Sequence, residues 1–104
     1  MQEATPAQAD PLDLEAIFES FSDDFLKFED VKKPLHARRD VHAFLLLEML
    51  TPSTGRPLIA GARHDEIWLS TDCDKLAGVI TLAQVRDLVR CGIRFDEDAL
   101  CMFV

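Results

Sequence analysis

No stretch of this sequence is apolar for long enough to cross a bilayer. The longest runs, around Phe44 to Leu47 and from Ala99 to Val104, fall far short of the ~20 residues that a spanning helix needs. A basic-then-apolar leader is also missing, so no secretory signal and a cytoplasmic location are expected. Cysteine is sparse: Cys73, Cys91 and Cys101 are an odd number with no C-x-x-C pair, which fits reduced thiols better than a disulfide frame. The four glycines lie too far apart to build a phosphate-cradling loop or a dinucleotide fingerprint, and neither G-x-S-x-G nor H-E-x-x-H occurs. No cofactor is therefore expected, and no enzymatic activity. Bases are the minority charge, 11 Lys and Arg against 19 Asp and Glu for a net −8. Direct binding to nucleic-acid phosphates, which draws on Lys and Arg, is not expected of such a chain.

The charge is unevenly spread. Residues 1–30 hold nine acids and one base, residues 31–63 two acids and six bases, and residues 64–104 eight acids and four bases. The basic middle reads either as a local anion site or, more simply, as the counter-charge for the acidic N-terminal third. A length of 104 residues suits a single domain with one core. Residues 1–9 are a polar lead-in without periodicity, and the domain is expected to run from 10 to 104.

Local patterns predict an α+β fold: a small, mainly antiparallel sheet packed by two or three helices, with a C-terminal β-hairpin. The clearest signal is Thr81 to Val104. Thr81 and Gln84 have the spacing of a capping box, and Leu82, Val85, Leu88 and Val89 form one helical face. Gly92 suits a left-handed stop, Ile93-Arg94-Phe95 alternates, and Asp96-Glu97-Asp98 turns. The run Ala99 to Val104 is apolar at every position, which predicts an inner strand buried on both faces. Upstream, Asp10-Pro11 reads as the cap and first residue of a helix to about Ser20, with Asp13 favourable to its dipole. Residues 22–31 predict an irregular turn and a short edge strand. Asp40 caps a helix Val41 to Leu50, apolar nearly all round and so buried on most sides. Two short strands, Leu58 to Ala62 and Glu66 to Ser70, follow a proline-rich loop, and Lys75 to Val79 adds a helical turn.

Few residues suggest chemistry. His64, Asp65 and Glu66 put an imidazole beside two carboxylates, which could hold a metal or act as a base. Strand alternation opposes this, since neighbours on a strand point to opposite faces; the plain alternative is a solvated turn. Asp72, Cys73 and Asp74 add potential ligands without a metal-binding pattern. Arg38 and Arg39, with Lys32, Lys33 and His36, form the one basic cluster, just ahead of a helix start that also attracts anions. Trp68, the single tryptophan, either packs under a helix or stands exposed as a partner anchor. The candidate partner-binding set is therefore Arg38, Arg39, His64, Asp65, Glu66 and Trp68.

The segments D-D-F-L-K-F-E, H-A-F-L-L-L-E, H-D-E-I-W-L and L-V-R-C-G-I-R-F-D, with C-M-F-V after them, resemble small hypothetical proteins of bacteriophage and prophage genomes. That resemblance implies a bacterial host cell and carries no functional residues. The expected function is non-enzymatic protein–protein contact, with a second copy of the chain as one partner. An acidic inhibitor that imitates nucleic acid is the first alternative, and a metal or enzymatic site at His64 is the second.

Overall fold

The computed structural model describes residues 13–52, 55, 57–96 and 99–103. Four strands, β1 (Ile59–Arg63), β2 (Glu66–Leu69), β3 (Ile93–Asp96) and β4 (Ala99–Phe103), form one antiparallel sheet in the order β1-β2-β4-β3. The helices are α1 (Leu14–Ser20), α2 (Arg39–Leu50), α3 (Cys73–Ala77) and α4 (Leu82–Arg90). The fold is α+β, with β3 and β4 as the C-terminal hairpin.

The inner placement of β4 follows from its composition. It pairs with β2 through Ile67↔Met102 and Trp68↔Cys101, and with β3 through Ile93↔Met102 and Arg94↔Cys101. Alternation sends Leu100 and Met102 to the front face, where they join Leu69, Ile93 and the helices in one core; Cys101 points to the back, fully buried yet outside that core. A central strand buried on both faces needs apolar residues at consecutive positions.

α4 starts on the expected capping box: Gln84 N–H donates to Thr81 Oγ1 at 3.2 Å and Thr81 N–H to Gln84 Oε1 at 2.9 Å. Val85, Leu88 and Val89 are buried, but Leu82 is half-exposed because the first turn lies past the edge of the core. Gly92 takes φ +95°, and a Cβ there would come within 2.8 Å of both Arg39 Nη1 and Leu26 Cδ2. Only glycine meets the backbone angle and the close approach together.

Several expectations are corrected. The described cap of α1 is Asp13, whose Oδ1 accepts from Ala16 N–H at 3.2 Å; Asp10 and Pro11 lie outside the described residues. Residues 22–31 hold no strand but two 3-10 turns, Ser22–Asp24 and Phe28–Asp30. The helical spacing of Phe21, Phe25 and Phe28 prevails there, because each ring packs on the core. α2 begins at Arg39, two residues earlier than expected, and Asp40 lies inside it, accepting from Val41 N–H at 2.9 Å. That helix is buried through His42, Ala43, Leu46 and Leu47 only; Leu45 and Met49 face outward. The extra turn near residue 75 is α3, capped by Asp72, which accepts from Asp74 and Lys75 N–H.

Met102 is fully buried at the centre of the sheet. A carboxylate there would lack a partner, which costs several kcal/mol against a total stability of ~5–10 kcal/mol. Met102→Asp is expected to abolish the cooperative thermal unfolding transition, and a parent-like melt would refute the two-sided burial of β4.

Candidate interaction surface

The expected residues His64 to Trp68 sit on one hairpin. β1 and β2 close through Arg63↔Glu66, so the loop is the pair His64-Asp65, tighter than the three-residue connection expected. A two-residue loop favours positive φ at its first position, and His64 adopts φ +51°. Both loop side chains are exposed. Alternation does divide the triplet, as anticipated: Glu66 turns onto the back of the sheet, where it accepts from Arg94 Nε at 3.0 Å and Nη2 at 2.6 Å. That hydrogen bond holds the Arg94 guanidinium above its ordinary pKa. Asp96 stands 3.5 Å from the same guanidinium.

Trp68 shares this back face, in register with Gly61 on one side and Cys101 on the other. It is half-buried, with the Arg63 guanidinium 5.8 Å from its ring centroid, a cation–π distance. The back of the sheet thus carries an aromatic–arginine contact at one end and an arginine–carboxylate network at the other.

β1 beside it is an edge strand. Every residue of it but Gly61 is exposed, Ile59 at 46%. It carries one charge, Arg63, and a register irregularity between Ile59 and Gly61. Nothing lies within 4 Å of a Cβ built on Gly61. With Arg63 and Gly61 opposite Glu66 and Trp68 across a two-residue turn, the Ala62 N–H and C=O face away from β2. An edge of small residues with unpaired main-chain groups is a template for another strand.

The two expected arginines have separate fates. Arg38 is exposed and pairs with Asp40 at 3.3 Å. Arg39 Nη1 donates to the carbonyls of Cys91 and Phe103, both at 2.8 Å, and so serves the fold. Asp24 is met by Arg86 at 2.9 Å and Arg90 at 4.0 Å, both from α4.

Elsewhere, Asp13, Glu15, Asp72 and Asp74 gather with Cys73 and Phe95 around a concavity of about 570 Å³. Among the described residues, no group of three or more His, Cys, Asp or Glu side chains could hold a metal ion. Burial pushes the Cys91 thiol up to about 12, which keeps it protonated and poorly nucleophilic at neutral pH. No helix among the described residues is long and apolar enough to cross a membrane. No family model, curated protein or solved structure matches the chain. One residue on which the sequence gives no signal is His42, a polar side chain of α2 that is buried.

The two arginines give a paired prediction. Arg39→Met removes a charged donor from two carbonyls and is expected to cost about 2–3 kcal/mol in urea unfolding, whereas Arg38→Ala, at an exposed pair, should stay within about 0.5 kcal/mol. Equal effects would remove the structural role given to Arg39.

Proposed function

We propose that this protein is a non-enzymatic binding domain that takes an extended segment of a partner protein onto the open edge of β1. The observation that carries this reading is the small Ala60-Gly61-Ala62 stretch of an edge strand, with both alanines exposed. Main-chain hydrogen bonds would give affinity, at ~1 kcal/mol each, and neighbouring side chains would give selectivity. The neighbours are Arg63, His64 and Trp68, so an acidic residue in the docked segment is favoured next to Arg63. On the resemblance to small phage proteins, the partner belongs to a bacterial host or a phage, and the compartment is the host cytoplasm. A second copy of the chain is the simplest partner, pairing β1 with β1 across a two-fold axis.

A second reading rests on the acidic concavity between α1 and α3. Four carboxylates gathered there suit a basic protein, as an inhibitor imitating nucleic acid would need. The metal or enzymatic alternative at His64 has no comparable observation in its favour.

Ala62→Pro separates these readings. It deletes an outward-facing donor at an edge, where proline is tolerated, so the melting temperature should move by less than about 3 °C. Capture of a partner from bacterial lysate, or the dimer seen by light scattering, should weaken at least about tenfold. Glu15→Gln with Asp74→Asn should leave binding unchanged. Loss of binding in the carboxylate variant alone would favour the acidic face instead. A parent that stays monomeric at tens of micromolar, by size exclusion with light scattering, would remove the self-pairing form.

A further inference from the structure

His42 is the one buried polar side chain among the described residues, 4% exposed. Its Nδ1 accepts from the backbone N–H of Leu35 at 2.9 Å, so the neutral ring carries its proton on Nε2. Nε2 is buried and has no hydrogen-bond partner among the described residues. The ring meets the Leu35 amide from the loop before α2, the Phe28 ring from the second 3-10 turn at 5.8 Å, and the charge of Asp87 from α4. Asp87 is itself engaged with Arg90 Nη1 at 3.4 Å. Among the described hydrogen bonds, residues 32–37 are tied to the domain by Leu35 N–H to His42 and, next to the helix start, by Arg38 N–H to His36 Nδ1 at 3.0 Å; the first is the one that reaches a buried side chain. Their side chains are all exposed, and they include Lys32, Lys33 and His36.

We propose that His42 is an acid-operated latch on the basic loop. Neutral, its Nδ1 holds Leu35 against α2. Protonated, the same nitrogen becomes a donor facing another donor, the bond is lost, and the loop carrying Lys32, Lys33 and His36 comes free. Burial holds the ring below the ordinary histidine value of 6.5, outweighing the opposite pull of Asp87. The sign follows: with the folded value below the unfolded one, the stabilisation is complete above 6.5 and is lost as pH falls through the folded value.

The test is a two-dimensional NMR titration of the labelled full chain from about pH 8 to about pH 5, across the range where histidine changes charge. The Leu35 amide and the His42 ring are expected to titrate together with a midpoint below 6.5. Hydrogen-exchange protection at Leu35 should fall roughly fivefold or more over the same step. In His42→Gln, whose side-chain oxygen accepts from Leu35 without titrating, the midpoint shared with the His42 ring should vanish from the Leu35 amide. The latch is overturned if the His42 ring titrates without movement at Leu35, or if Leu35 moves in His42→Gln as it does in the parent. Should His42→Gln fail to fold, the parent titration alone decides between coupled and uncoupled behaviour.

Discussion

Three parts of the chain meet at Gly92. Helix α4 ends two residues before it, β3 begins one residue after it, and the backbone must turn through a positive φ that an L side chain would resist. The space left by the missing side chain is filled by Arg39 Nη1 and Leu26. From that position the guanidinium donates to Cys91 O at the helix end and Phe103 O at the end of β4, while Phe103 N–H donates to Gly92 O at 2.9 Å. The Leu26 N–H, in turn, donates to Val89 O at 3.2 Å. One charged group therefore satisfies carbonyls that would otherwise be orphaned, a loss of about 1–3 kcal/mol each when buried. The start of α2, the end of α4, the sheet and the segment between the 3-10 turns are aligned through this one junction.

What the sequence disclosed and what it hid divide along the same line. The capping box, Gly92 and the alternation of Ile93 to Phe95 are local signals, and the α4–β3–β4 unit could be read from them. So could the hairpin of β1 and β2 and the division of His64, Asp65 and Glu66 between its tip and its back face. Arg39 was illegible as a structural residue because its partners lie 52 and 64 positions away. Its place beside Arg38 in a basic cluster gave it the look of a surface charge. α2 was overestimated as a buried helix, since composition reports how apolar its residues are and not how many neighbours the fold supplies. His42 was missed for the opposite reason: a lone histidine among apolar residues gives no sign of the backbone donor that the fold sets opposite it. The turns at 22–31 show helical periodicity competing with alternation over too few residues to decide.

Charge is arranged by the same long-range contacts. The acids of the N-terminal third find their described partners on α4, through Asp24 with Arg86 and Arg90. Among the described ion pairs, the basic residues between 32 and 38 take part only through Arg38 with its neighbour Asp40. On the back of the sheet, Glu66, Arg94 and Asp96 form a small network, with Arg94 in register with Cys101. These pairs are half-exposed, so they order the surface more than they stabilise it.

The two edges of the sheet are not equivalent, and this bears on what can bind. Along β3, α1 packs closely, with the Phe18 and Phe95 rings 6.4 Å apart. Along β1 the strand itself is exposed, guarded only by its short length, a register irregularity and one terminal arginine. Proteins commonly blunt an edge with such devices when it must not grow by further pairing. A sheet open at both edges could add copies head to tail without limit, a heterologous contact that does not close. With α1 packed on the front face of β3, β1 is the more exposed of the two edge strands. On the proposed reading, a strand added to β1 comes from another protein or from a two-fold related copy, and the two-fold contact closes on itself. The small Ala-Gly-Ala centre permits close backbone approach, and the net charge of −8 opposes accumulation beyond that single contact.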